Sequence, residues 1–137
     1  MILMKFNMLR RSVWLLALLC GTLAFVESST AAPKKVLVVT VTKGFRHSSI
    51  ATAEKVLGEL GQKSGAFTVD YVRTDEDMAQ KMTLQALNNY DGVVFANTTG
   101  ELPLPDKEGF LEWIKSGKGF VSTHSGSDTF HKFTPYI

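Results

Sequence analysis

Three polar loops carry the side chains of this sequence that are best suited to chemistry. Their candidate residues are Arg46 and His47, then Asn97 and Thr99, then His124 and Asp128. Imidazoles transfer protons near neutral pH, a guanidinium clamps carboxylates or phosphates, and amides and hydroxyls hydrogen bond to sugar hydroxyls. The sequence therefore predicts a polar site for a small ligand, provided that the fold brings these loops together.

The third loop has the most specific pattern. The predicted strand Phe120–Thr123 leads directly into His124 and the small residues that follow it. A buried strand that ends in a small-residue turn is the setting of a nucleophile elbow. With His124 at its tip, the elbow presents a general base, a metal ligand or a hydrogen-bond donor, not an ordinary acyl-enzyme nucleophile. Asp128 is predicted either to orient His124 or to cap a following helix.

The other two loops each allow two interpretations. Arg46 and His47 precede a predicted helix N-terminus, where an anionic group of a substrate would bind favourably. His47 could instead be a loop histidine that bonds to the backbone. Asn97 and Thr99 could bind substrate hydroxyls, or their side chains could cap the turn in which they lie.

The two loop histidines also raise the hypothesis of a divalent metal. A catalytic zinc site needs three protein ligands, so His47 and His124 would need Asp128 or a further residue beside them. Cys20 is the only cysteine, which excludes disulfides, cysteine-based zinc sites and a catalytic thiol from residues 32–137. No motif requires a cofactor, and a divalent metal remains an alternative.

Strand and helix patterns alternate along residues 32–137. Strands are predicted at Lys35–Thr42, Phe67–Val72, Gly92–Asn97 and Phe120–Thr123. Helices are predicted from Ser48 or Ser49 to Gly61 (apolar face Ile50, Ala53, Val56, Leu57 and Leu60), in short turns after Thr74 and Thr83, and from Asp106 to Gly117. This alternation indicates an α/β fold with a parallel sheet and right-handed crossovers. Since ligands bind at the carboxyl ends of such strands, the three loops should share one edge.

Residues 1–31 are typical of a signal peptide. Lys5, Arg10 and Arg11 precede the apolar run Val13–Val26, which is shorter than the roughly 20 residues that span a bilayer. We expect cleavage after Ala31 and export to the periplasm or the medium, an uncleaved anchor being the alternative. Basic and acidic residues balance in residues 32–137, which argues against a nucleic-acid binder.

Three blocks occur in a familiar order and spacing. They are Lys43-Gly44-Phe45-Arg46-His47-x-Ser49-Ile50, Tyr90-Asp91-x-Val93-Val94-Phe95-x-Asn97-Thr98-Thr99-Gly100 and Gly119-Phe120-Val121-x-x-His124-Ser125-x-Ser127-Asp128-Thr129-Phe130. In these blocks the chain resembles the ThuA-like (trehalose-utilization) family, which is related to the class I glutamine amidotransferases. The resemblance implies a flavodoxin-like three-layer sandwich, a role in sugar or glycoside catabolism, and no amidotransferase cysteine. By position it implies His124, His47 and Asp128 as catalytic residues, and Arg46, Asn97 and Thr99 as substrate-binding residues.

The resemblance also implies that residues 32–137 are a ThuA-like domain that is incomplete at its C-terminus, because the family continues beyond the tyrosine that matches Tyr136. We expect an exported protein that acts on or binds a sugar-derived substrate, with His124 as acid/base. The alternatives are a non-catalytic carbohydrate- or partner-binding domain and an inactive gene fragment. The expected partner is a small carbohydrate, with no nucleic acid and no stable membrane span after signal cleavage.

Overall fold

A computed structural model of the protein describes residues 31–137, in which four strands alternate with helices. The strands are β1 (Lys34–Val39), β2 (Phe67–Val72), β3 (Gly92–Ala96) and β4 (Gly119–Thr123). The helices are α1 (Ile50–Ser64), α2 (Asp75–Lys81), α3 (Leu84–Leu87) and α4 (Lys107–Lys115), followed by 3₁₀ turns at His124–Asp128 and Thr134–Tyr136. Apart from its last residue, the signal peptide expected at residues 1–31 lies outside the described residues.

The four strands form one parallel sheet in the order β2-β1-β3-β4. At its centre, Val38 of β1 pairs with Tyr71 of β2 on one side and with Val94 of β3 on the other. Each parallel neighbour is reached through a helical crossover, because parallel strands cannot be joined by a tight hairpin. The predicted α/β class is confirmed, and the strand order is that of a flavodoxin-like sandwich.

Helices cover both faces of the sheet. On one face, Ala53 and Leu57 of α1 pack against Val38 and the neighbouring side chains of β3. The opposite face carries the main core, whose largest members are Phe95, Phe110, Phe130, Leu37 and Met78. At the β4 edge the cover is thinner, and the side chain of Val121 is 53% exposed.

The sequence pattern predicts that the first helix ends at Gly61, which is wrong. Helix α1 continues to Ser64, and the left-handed residue that ends it is Gly65, with φ of 63°. Gly61 serves a different purpose, because a Cβ there would lie 2.8 Å from the carbonyl oxygen of Phe67. The glycine lets the helix approach β2 closely.

Strand β1 is shorter than its β-branched sequence predicts. It ends at Val39 rather than Thr42, although the amide of Thr40 still donates to the carbonyl of Val72 at 2.9 Å. The predicted apolar face of α1 is also too wide, since Val56 and Leu60 are about half exposed (45% and 51%). Only the stripe of the helix that carries Ala53 and Leu57 packs against the sheet.

Side-chain caps start three of the four helices, with Thr74, Thr83 and Asp106 as the capping residues. Thr74 Oγ1 accepts from the amide of Asp77 at 3.1 Å, and Asp106 Oδ1 accepts from the amide of Gly109 at 2.8 Å. Ser49 precedes α1 but makes no side-chain cap. Its hydroxyl instead accepts a hydrogen bond from Asn97 Nδ2 at 2.7 Å. The residue expected to cap the helix therefore connects the helix to the loop after β3.

Candidate functional site at the carboxyl edge of the sheet

Backbone hydrogen bonds join the three polar loops at the carboxyl edge of the sheet. The amide of Lys43 in the first loop donates to the carbonyl of Thr99 in the second at 2.8 Å. The amide of Gly100 then donates to the carbonyl of Asp128 in the third, also at 2.8 Å. The three loops therefore form one surface, as the parallel topology predicts.

On this surface, His47 of the first loop contacts His124 of the third. The ring centroids of His47 and His124 are 4.4 Å apart, and the rings are inclined at 76°. The ring of Phe45 contacts that of His47 in a similar way, at 4.9 Å and 78°. His124 is exposed and His47 is half-buried. Three rings therefore line one solvent-accessible site, in which both imidazoles can reach the same small molecule.

The backbone at His124 forms the sharp bend that the sequence predicts. Its φ is 51°, a left-handed conformation that few non-glycine residues adopt. Two residues on, Gly126 has no room for a side chain, because a Cβ there would lie 3.1 Å from the carbonyl oxygen of Phe95 and would overlap Ser122 Oγ. This close packing holds the bend and with it the imidazole, and such held strain is typical of functional sites.

Asn97 and Thr99 hold the first loop in place through side-chain hydrogen bonds. Both are buried, and Asn97 has a left-handed φ of 59°. Asn97 Nδ2 donates to Ser49 Oγ, while Thr99 Oγ1 donates to the carbonyl of Phe45 at 3.2 Å. These bonds go to the loop that carries His47 rather than to the turn after β3. A direct contact of Asn97 or Thr99 with substrate stays a prediction.

Arg46 precedes His47 in the chain and is exposed, and one hydrogen bond fixes its guanidinium. Its Nη1 donates to the carbonyl of Thr40 at 3.0 Å. Thr40 is itself fully buried, and its hydroxyl donates to Glu54 Oε1 at 2.7 Å. Glu54 also accepts from Arg73 Nε at 2.8 Å. The guanidinium of Arg46 is thus anchored at the carboxyl end of β1, and its contact with substrate stays a prediction.

Asp128 does not make the contact that the sequence suggests. Its Oδ1 lies 2.6 Å from His131 Nε2, three residues further on, and both side chains are exposed. The hydrogen bond that would orient an imidazole therefore goes to His131 and not to His124. A part for Asp128 in catalysis stays a prediction.

The segment after the elbow is tied back to the second loop. Glu101 accepts from Lys107 Nζ at 2.8 Å and from the backbone amide of Lys132 at 2.9 Å. These bonds, that from Lys107 foremost, hold the pKa of the Glu101 carboxyl below its ordinary value. Burial raises the pKa of Tyr136, whose hydroxyl donates to the carbonyl of Gly126 at 3.0 Å. The bond from Tyr136 stabilises the elbow directly, and the two bonds to Glu101 hold the segment that follows it.

The family model ThuA, described as trehalose utilisation, matches residues 35–136. The chain belongs to the ThuA family. The match includes all three loops of the site, and it confirms the resemblance seen in the sequence blocks. Neither the curated proteins nor the solved structures contain a significant match to the chain.

Two further properties of the ThuA domain concern metals and membranes. Within residues 31–137, no three side chains of the types that bind metals are grouped closely enough to hold an ion. None of the helices in the same part of the chain has both the length and the apolar character needed to cross a membrane.

Replacing Asn97 in the ThuA domain should show how much its left-handed backbone and its amide each contribute. We expect Asn97→Ala to lower the free energy of unfolding by about 2–3 kcal/mol, since alanine adds strain at positive φ and removes a buried hydrogen bond. Asn97→Gly removes the same bond without the strain, and it should cost only about 1 kcal/mol. Urea unfolding of both variants measures the difference. Equal losses would mean that the conformation at this position carries no strain.

Proposed function

We propose that this ThuA protein is exported and takes part in carbohydrate catabolism, where it acts on a sugar-derived substrate with His124 as acid/base. Membership of the ThuA family connects the chain with trehalose utilisation. The signal-like pattern of residues 1–31 supports export. The observation that carries the proposal is the ring contact of His47 and His124, at 4.4 Å, on an accessible edge of the sheet.

The chemistry follows from what each side chain can do at that edge. An imidazole that is accessible and held at a sharp bend can take a proton from a sugar hydroxyl or from a carbon next to a carbonyl. The second imidazole, that of His47, can donate a hydrogen bond to the oxygen on which negative charge develops. Arg46, the chain neighbour of His47, adds a positive charge that is anchored to the carbonyl of Thr40. Together these groups suit proton transfer on a polyhydroxylated or oxidised sugar.

A second candidate function is sugar binding without chemistry. It is favoured by the position of Asp128, whose hydrogen bond goes to His131. A histidine that acts as a general base is commonly oriented by a carboxylate on its other nitrogen. If His124 has no such partner when a sugar is bound, its imidazole serves as a hydrogen-bonding group for sugar hydroxyls.

One experiment separates the two candidates. The purified protein is titrated with trehalose and with its keto derivative, and binding is followed by calorimetry while sugar products are followed by NMR. Conversion of either sugar supports the catalytic proposal. Saturable binding with unchanged sugars supports the binding function. The absence of both binding and conversion would contradict both functions for these sugars.

A further inference from the structure

Phe45 is an exposed aromatic side chain within the candidate site. It is 72% exposed, although its neighbours in the loop are polar or charged. Among residues 31–137, the other large apolar side chains that are exposed are all aliphatic: Val56, Leu60, Leu84, Val121 and Ile137. Leaving an aromatic ring in water forgoes apolar burial, so the ring calls for an explanation beyond stability.

The backbone beneath this ring is held in place. Thr99 Oγ1 donates to the carbonyl of Phe45 at 3.2 Å, and Thr99 is buried. Two residues before Phe45, the amide of Lys43 donates to the carbonyl of Thr99 at 2.8 Å. Two hydrogen bonds, one to the backbone carbonyl of Thr99 and one from its side chain, thus hold the loop against the end of β3. The backbone that carries the aromatic ring is therefore fixed before a ligand binds, and such preorganisation lowers the entropic cost of binding.

The ring also lies next to the two histidines. Its centroid is 4.9 Å from that of His47, whose ring in turn is 4.4 Å from that of His124. The contact with His47 is edge-on, and most of the ring of Phe45 remains open to solvent. A ligand bound against His47 can therefore also contact this aromatic surface.

We propose that Phe45 is the stacking platform for a pyranose ring, and that it determines the preference of the site for sugars. One face of a pyranose presents axial C–H groups and is apolar, while its rim of hydroxyls is polar. An exposed aromatic ring covers the apolar face, and the neighbouring imidazoles and Arg46 bond to the rim. This inference rests on the proposed function, because it takes the ligand to be a sugar.

The test compares Phe45→Leu with Phe45→Trp in the full chain, with trehalose as the probe. Leucine keeps an apolar side chain but removes the flat π-surface, and tryptophan enlarges that surface. We expect Phe45→Leu to weaken trehalose binding about fivefold to tenfold, and Phe45→Trp to keep it within about twofold of the wild type. Leu60→Ala, which removes an exposed apolar side chain of α1, is the matched control and should leave binding unchanged.

NMR titration supplies a second readout that a loss of stability would not produce. Stacking on an aromatic ring moves the axial C–H signals of trehalose upfield in the wild type and in Phe45→Trp, and this shift should vanish in Phe45→Leu. If the wild type binds trehalose and Phe45→Leu binds it equally well, the inference is wrong while the proposed function stands. If the wild type binds no trehalose, both are wrong for this sugar.

Discussion

Replacement of His124 by asparagine is expected to lower kcat/KM on the sugar substrate by about a hundredfold to ten-thousandfold, the usual contribution of a general acid or base. Asparagine is the suitable replacement because it tolerates the left-handed φ of 51° at this position and cannot transfer a proton at neutral pH. The backbone bend should therefore persist while the proton transfer is lost. The measurement is the rate of conversion of glucosides and of oxidised keto sugars by the wild type and the variant.

The chain offers a matched control for this substitution in His131. It is an exposed histidine paired with Asp128, so His131→Asn should leave kcat/KM unchanged if the pair has no part in the reaction. His47→Asn should lower kcat/KM less than His124→Asn, since it removes a hydrogen bond rather than the transferred proton. Unchanged turnover in His124→Asn would remove the catalytic claim and leave sugar binding as the function. A large loss of kcat/KM in His131→Asn would instead support a catalytic role for the pair of Asp128 and His131.

Replacement of Phe95 by alanine is expected to lower the free energy of unfolding by about 3–5 kcal/mol, the range for deleting a buried phenylalanine. Phe95 is fully buried at the centre of the main core. Its ring lies 5.2 Å from that of Phe120 on β4 and 5.8 Å from that of Phe110 on α4. The deletion would leave a cavity between the sheet and α4 that neighbouring rings cannot fill without leaving their own contacts.

The same substitution at Phe45 is the control for this prediction. Phe45→Ala removes an identical side chain from an exposed position, so it should change the free energy of unfolding by less than about 0.5 kcal/mol. Urea unfolding of both variants gives the comparison. If Phe95→Ala lowers the free energy of unfolding by less than about 1 kcal/mol, the ring is not closely packed, because a cavity in a dense core destabilises by more than that.

Much of the architecture follows directly from the sequence. Apolar β-branched strands such as Gly92–Ala96, separated by helical segments, admit few arrangements other than a parallel sheet. Parallel strands then bring their following loops to one edge, which places His47 and His124 on the same surface, and the structure adds that their rings touch. The cap at Asp106 is equally local, since it depends on a side chain and an amide three residues away.

What the sequence does not reveal depends on contacts between distant segments. Gly61 looks like a helix end, but its lack of a side chain serves the approach to Phe67. Ser49 looks like a cap, but its hydroxyl bonds to Asn97, which is far away in the chain. The pairing of Asp128 with His131 is local, and a three-residue spacing could have suggested it. Phe45 escapes sequence reasoning because exposure is a property of the folded surface.

The central claim is that His47 and His124 line one sugar site, and histidine-ring NMR spectra recorded during a trehalose titration test it most directly. We expect the ring signals of His47 and His124 to shift together and to saturate at the same sugar concentration. The signal of His131, which lies outside the ring contact, should stay where it is. If His131 alone shifts, or if neither His47 nor His124 responds, the two histidines do not share a sugar site.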